Sequence, residues 1–174
     1  GDDLYTSGSL GDARLALEVS RATVAVPADA FEAARLRMEM PTPRVALGQA
    51  LRGLATSAID VSDGLLGDLG HVLRSSKVGA TVDTTAALAL LGARAGWPGL
   101  PHELALQCVL AGGDDYELAF TAPPHFRQAI QEAAAACATP ATRIGRIEAE
   151  SGLRLVDAQG RAVPDRYASF DHFA

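Results

Sequence analysis

The sequence is poor in cysteine, aromatic residues and positive charge, and these shortages exclude several classes of protein. Its 174 residues include two cysteines, Cys108 and Cys137, and neither has a histidine or second cysteine at metal-site spacing. We therefore expect reduced thiols and a cytoplasmic protein. The 15 basic and 21 acidic residues give a net charge of −6. This disfavours a nucleic-acid binder, which needs clustered positive charge to replace phosphate counterions. No segment approaches the roughly 20 apolar residues that cross a bilayer, so no membrane association is expected.

What the sequence does contain is the composition and periodicity of a globular domain. Apolar residues make up 48% and charged residues 21% of the chain. Apolar residues at helical spacing predict helices at 12–25, 29–38, 47–54, 65–73, 102–110 and 126–136. Short apolar or β-branched runs predict strands at 4–9, 56–61, 80–84, 116–121 and 142–147. Ala158-Gln159-Gly160 predicts a hairpin turn between 153–156 and 161–163. Strands mixed with helices indicate an α+β or mixed α/β domain, a β-sheet packed with helices.

Two carboxylates lie three residues apart where a predicted strand runs into a predicted helix, in the segment Asp60-Val61-Ser62-Asp63-Gly64-Leu65. If Asp60 ends the strand and Asp63 opens the helix, both side chains can point into one crevice. Mg²⁺ prefers carboxylate oxygens, waters and substrate phosphates. A helix N-terminus also favours phosphate, to which Ser62 could donate its hydroxyl. The alternative is structural, with Ser62 and Asp63 capping the helix and Asp60 in a turn.

A second acidic cluster follows a glycine pair at 112–113. The glycines allow a tight turn and a close approach to a ligand. Strand alternation places Asp115 and Glu117 on one side and Asp114 and Tyr116 on the other. So many acids at one turn repel one another unless a cation or cationic ligand lies nearby. The alternative is a helix end followed by an edge strand with a solvated acidic face.

The C-terminal tail carries aromatic rings at Tyr167, Phe170 and Phe173, with His172 between the last two. Such a tail commonly docks on the core and anchors the terminus. Beside an acidic loop, one of its rings could instead stack on a flat, cationic heterocycle.

In this order, the motifs resemble those of the thiamine-monophosphate kinase family, in the superfamily of aminoimidazole ribonucleotide synthetase and selenophosphate synthetase. The matching stretches are GDDLYTSGSLGDA at 1–13, AIDVSDGLLGDLGHVLRSS at 58–76, GGDDYELAF at 112–120 and FDHF at 170–173. The resemblance implies a two-domain protein whose N-terminal domain dimerises and supplies further Mg²⁺-binding aspartates. Residues 1–174 would then be the C-terminal domain, with residues 1–25 leading into it, and the full-length protein would be a homodimer.

The same resemblance implies an activity and a set of site residues. The activity is Mg²⁺-assisted, in-line transfer of phosphate from ATP to thiamine monophosphate, giving thiamine diphosphate, with no general base required from this chain. Asp60 and Asp63 match Mg²⁺ ligands, and Ser62 matches an ATP contact. Asp114 and Phe170 match substrate contacts, where the family usually has Glu and either Tyr or Trp. We expect the chain alone to be inactive, because most metal ligands would lie in the other domain.

Two other functions remain open on the sequence. The first is another ATP-using enzyme of the same superfamily, which activates an amide or a selenide. The second is a non-catalytic binding or assembly domain.

Overall fold

The computed structural model describes residues 1–93, 97 and 99–167 and contains one mixed β-sheet with helices on both faces. Its strands are β1 (Asp3–Ser7), β2 (Ser57–Val61), β3 (Gly79–Asp83), β4 (Glu117–Ala122), β5 (Ala141–Glu148), β6 (Gly152–Val156) and β7 (Ala162–Val163). Its helices are α1 (Asp12–Ser20), α2 (Ala28–Glu39), α3 (Val45–Ala50), α4 (Leu65–Ser76), α5 (Thr84–Leu88), α6 (His102–Ala111) and α7 (Arg127–Ala136). None of the helices within these described residues is long and apolar enough to cross a membrane.

The strand order across the sheet is β2-β4-β1-β5-β3-β6-β7. Strands β3 and β6 pair in parallel, and the other neighbouring strands pair antiparallel. This architecture confirms the predicted α+β class. Residues 1–25 supply α1 and the central strand β1, which pairs with β4 on one side and β5 on the other.

Strand β1 divides the core between the two faces of the sheet, because successive residues of a strand point to opposite sides. Leu4 belongs to the larger apolar cluster, with Leu65 and Leu69 of α4. Tyr5 belongs to the smaller cluster, where its ring stacks on that of Phe120 at a centroid distance of 5.2 Å. The candidate site described below lies beside the larger cluster, at the N-terminal end of α4.

The predicted hairpin at 158–160 is confirmed, and one carboxylate organises it. The Asp157 side chain accepts hydrogen bonds from the backbone N–H groups of Gln159 and Arg161, each at 2.9 Å. Gly160 takes the left-handed conformation that this turn needs, with φ +76°.

The helix predicted at 12–25 is shorter than expected. It ends at Ser20, and Ala22 follows with φ 58°.

Candidate active site

The loops of the two acidic motifs lie directly against each other. The Asp114 N–H donates to the Ser62 carbonyl at 2.9 Å, and the Tyr116 N–H donates to the Val61 carbonyl at 3.0 Å. A Cβ on Gly113 would lie only 2.3 Å from the Ser62 carbonyl oxygen. The close approach that the glycine pair predicted is therefore made to the other motif loop, which only a residue without a side chain permits.

A cavity of about 220 Å³ opens where these two loops meet α1. Its lining residues are Arg14, Leu17, Arg21, Ser62, Asp63, Ala111, Gly113 and Asp114. Three of the five predicted site residues, Ser62, Asp63 and Asp114, thus border one cavity. Asp114 is exposed, and its backbone is in the left-handed region with φ 67°.

Of the other two predicted site residues, the structure describes Asp60, which is not among the described residues that line this cavity. Asp60 lies one residue before the end of β2, on the exposed side of this edge strand, opposite Leu118 of β4. Phe170 lies outside the described residues. The roles predicted for Asp60 in metal binding and for Phe170 in substrate binding stay predictions.

The beginning of α4 is organised by a residue that the sequence analysis did not single out. Gly64 is the N-cap, and as a glycine it has no side chain with which to cap the helix. Instead the buried Asp68, one turn into the helix, accepts hydrogen bonds from the N–H groups of Ser62 at 2.9 Å and Asp63 at 3.0 Å. Burial raises the pKa of Asp68, and these backbone bonds oppose that rise. Neither Ser62 nor Asp63 is the N-cap residue, and their backbone N–H groups just before the helix are satisfied by Asp68.

Alternation correctly predicted that Asp115 points away from Asp114, and the structure shows what it binds there. The fully buried Asp115 carboxylate accepts hydrogen bonds from the N–H groups of Gly11 at 2.6 Å and Ala13 at 3.3 Å. Burial raises the pKa of Asp115 to about 7, although both bonds favour the ionised form. Asp115 thereby ties the acidic loop to the first turn of α1.

Glu117 is the second buried acid of this motif, and two arginines surround it. Arg37 donates a hydrogen bond to it at 2.7 Å, and Arg44 donates to both carboxylate oxygens, at 2.7 and 2.6 Å. The Ser7 hydroxyl donates to it at 2.5 Å. Strand alternation predicted that Glu117 lies on the same side as Asp115. Nothing local predicted its partners, because Arg37 and Arg44 are more than 70 residues away along the chain.

The described residues contain no group of three or more His, Cys, Asp or Glu side chains placed to hold a metal ion. Among the described residues that line the cavity, Asp63 and Asp114 carry carboxylates, and of these Asp63 is the predicted Mg²⁺ ligand. Mg²⁺ in phosphoryl-transfer sites is commonly held by one or two carboxylates together with substrate phosphates and waters. Asp63 therefore fits part of a Mg²⁺ site, to which a bound nucleotide and other ligands would contribute the rest.

A larger cavity of about 560 Å³ lies along α4 and reaches Lys77 and Tyr167. Its residues include Leu66, Leu73 and Leu153. None of the predicted site residues that the structure describes lines it, so the smaller cavity between the motif loops is the candidate active site.

Comparison with known proteins gives consistent matches along the chain. A family model described as "AIR synthase related protein, C-terminal domain" matches residues 1–158. The thiamine-monophosphate kinase of Escherichia coli strain K12 is 42% identical over 178 residues, which cover 100% of this chain and 53% of that protein. The one from Haemophilus influenzae is 38% identical over 184 residues, which cover 99% of this chain and 53% of that protein. The chain thus spans about half the length of these relatives.

Solved structures agree with the sequence matches. The crystal structure of thiamine-monophosphate kinase from Stenotrophomonas maltophilia K279a superimposes with a TM-score of 0.81 at 43% identity, covering 94% of this chain and 51% of that one. AaThiL, solved in complex with AMPPCP and TMP, gives a TM-score of 0.72 at 27% identity, covering 99% of this chain and 52% of that one. HypE from E. coli, at 20% identity and a TM-score of 0.68, shares the fold.

Proposed function

Because this chain belongs to the family of AIR synthase related C-terminal domains, whose model matches residues 1–158, we propose that it is one half of a thiamine-monophosphate kinase. The names of its relatives and the nucleotide and TMP held by AaThiL support this choice within the family. The proposed reaction transfers the γ-phosphate of ATP to thiamine monophosphate and yields thiamine diphosphate and ADP. A preceding N-terminal domain would supply the remaining Mg²⁺ ligands and the homodimer interface.

The observation that carries the proposal is the convergence of Ser62, Asp63 and Asp114 on one cavity. These residues come from two separate motifs, and backbone hydrogen bonds hold the two loops together. A kinase for this substrate needs a group that contacts ATP, a carboxylate for Mg²⁺ and a group that recognises a cationic ring. The three residues supply these chemistries in that order.

The mechanism proposed for this site is direct in-line transfer. An oxygen of the thiamine monophosphate phosphate group attacks the γ-phosphorus of ATP, and ADP leaves from the opposite side. A phosphate nucleophile is already ionised near neutral pH, so no general base is required. Phosphoryl transfer depends mainly on positioning and charge neutralisation. Ser62 would donate its hydroxyl to a phosphate oxygen, and Asp60 and Asp63 would hold Mg²⁺, which neutralises phosphate charge when bound.

The first test measures thiamine diphosphate formation by the full-length protein and by variants of its two predicted metal ligands. Asp60→Asn and Asp63→Asn each keep the side-chain shape and remove a charge, so turnover should fall by orders of magnitude while the fold survives. Glu150→Gln is a control, because this acid is 86% exposed and lies in the turn between β5 and β6. Near-normal turnover in both aspartate variants at low Mg²⁺ would contradict the assignment.

The same assay separates the alternative functions. ADP release stimulated by thiamine monophosphate supports the kinase, whereas release stimulated only by an amide or selenide substrate supports another enzyme of the superfamily. A full-length protein that binds nucleotide and turns over none of these substrates would be a binding or assembly module. The isolated 174-residue chain should fold and form no thiamine diphosphate.

The substrate pocket is tested separately at Asp114 and Phe170. A cationic thiazolium against an aromatic face gains roughly 0.5–2 kcal/mol, which corresponds to about a 2- to 30-fold change in affinity. Asp114→Asn and Phe170→Ala should each raise KM for thiamine monophosphate by this order and leave KM for ATP unchanged. A loss of stability with an unchanged KM would assign both residues a purely structural role.

The proposed cellular location is the cytoplasm, and the state of the cysteines supports it. Cys108 and Cys137 are both free thiols. Burial raises the pKa of Cys108 to about 12, so this thiol stays protonated and unreactive.

A further inference from the structure

One face of α1 contributes two arginines to the candidate active site. Arg14, Leu17 and Arg21 are spaced i, i+3 and i+7, which places them on the same side of a helix. All three line the cavity that also contains Asp63 and Asp114. The sequence motifs did not identify this face, because the arginines lie outside the stretch of residues 1–13 that resembles the kinase family.

The guanidinium of Arg14 is held in place before any ligand binds. Its Nε donates to Glu18 at 2.7 Å, one turn along the helix, and its side chain is 27% exposed. Its aliphatic carbons pack over Gly112, where an added Cβ would lie 2.6 Å from the Arg14 Cβ. A guanidinium has five N–H donors. The ion pair with Glu18 uses the one on Nε, which leaves the donors of the two terminal nitrogens for a ligand in the cavity that Arg14 lines.

Arg21 completes the positive wall of the cavity from the C-terminal end of α1. It is the C-cap residue of the helix, and its backbone N–H donates to the Leu17 carbonyl at 3.0 Å. Its side chain is exposed while still lining the cavity. The cavity therefore brings together two cationic and two anionic side chains, an arrangement that suits a ligand carrying charges of both signs.

We propose that Arg14 and Arg21 bind the phosphate group of the substrate, while Asp114 faces its cationic ring. This inference rests on the proposed function, because thiamine monophosphate is such a ligand, with a quaternary thiazolium at one end and a phosphate at the other. Arginine is suited to the task, since its planar fork of donors matches phosphate oxygens. ATP has no cationic ring to place beside Asp114. A cavity with both cationic and anionic side chains therefore favours thiamine monophosphate over the nucleotide.

The test compares a substrate with the same molecule lacking its phosphate. In the full-length protein, Arg14→Gln, Arg21→Gln and the double variant are assayed for KM with thiamine monophosphate, KM with ATP and inhibition by thiamine. Arg35→Gln is the matched control, because Arg35 is an exposed arginine of α2 that pairs with Glu32 and Glu39 and does not line the cavity. Charge-assisted hydrogen bonds of this kind predict that each single variant raises KM for thiamine monophosphate roughly tenfold or more.

The expected pattern is a raised KM for thiamine monophosphate with unchanged values for ATP, for thiamine inhibition and for the Arg35→Gln control. An unchanged KM for thiamine monophosphate overturns the inference, and so does equal weakening of thiamine and its phosphate. A rise only in KM for ATP also overturns it, because the arginines would then face the nucleotide. If the unmodified protein turns over no thiamine monophosphate, the proposed function fails. Calorimetry then measures how thiamine monophosphate and thiamine bind to the unmodified protein and to the arginine variants. The inference fails if the unmodified protein does not prefer the phosphate ester, or if the variants keep that preference.

Discussion

Replacing Glu117 by glutamine tests whether its buried ion cluster holds the α2–α3 segment on the sheet. The Glu117 side chain is fully buried, and its two arginine partners, Arg37 and Arg44, are 20% and 14% exposed. Glutamine nearly preserves the shape of the side chain, but it removes the negative charge. It also places an NH₂ group, which donates hydrogen bonds, against guanidinium groups that also donate.

The size of the effect follows from the burial of all three groups. Removing one partner of a buried ion pair costs about 3–5 kcal/mol, because the remaining charge loses its compensation. Here the positive charges of Arg37 and Arg44 both lose their negative partner. For a chain of this size, each kcal/mol lowers the melting temperature by about 2–4 °C. We therefore expect Glu117→Gln to lower the melting temperature by roughly 6–20 °C.

The assay is thermal unfolding, followed by limited proteolysis below the melting temperature. Glu32→Gln is the matched control, because Glu32 is 55% exposed and pairs with Arg35 on the surface of α2. Such exposed pairs contribute about 0–1 kcal/mol. In Glu117→Gln, new cleavage should appear first within residues 28–50, since Arg37 and Arg44 anchor this segment. A melting temperature within 2 °C of the control would refute the reasoning, because the cluster would then contribute no more than a surface pair.

Three further outcomes are expected. Burial holds the pKa of Asp115 near 7, against a usual value of 3.8, so the folded chain keeps a proton that the unfolded chain releases and stability falls as the pH rises from about 4 to 7. Asp115→Asn should remove this part of the pH dependence, measured as the urea midpoint at pH 4.5 and pH 7.5. Gly113→Ala should lower both stability and turnover, because its Cβ would lie 2.3 Å from the Ser62 carbonyl, whereas Gly48→Ala, whose nearest contact would be 3.8 Å away, should leave both intact. Of the two thiols in this chain, Cys137 should react with a thiol reagent at pH 8 well before the fully buried Cys108, as followed by mass spectrometry.

The sequence predicted most of the helices and strands and the direction in which several key side chains point. Alternation placed Asp115 and Glu117 on one side and Asp114 and Tyr116 on the other, and the structure buries the first pair and exposes the second. Only Glu117 lies in a strand, because Asp114 and Tyr116 have positive φ angles. The hairpin at 158–160 followed from its turn residues. These features depend on neighbours within a few positions, so local periodicity and turn chemistry are enough to determine them.

Only the tertiary structure decided which groups meet. A buried residue's own sequence context shows that it points inward, but not which distant side chain it will contact there. Asp68 binds the backbone N–H groups of Ser62 and Asp63 just before α4, and Arg37 comes to Glu117 across 80 positions. Arg14 and Arg21 line the candidate active site because Asp115 holds the first turn of α1 against the same loop that carries Asp114. Each of these contacts depends on how the sheet and helices pack. A buried charged group needs a partner, and only packing brings a distant partner within reach.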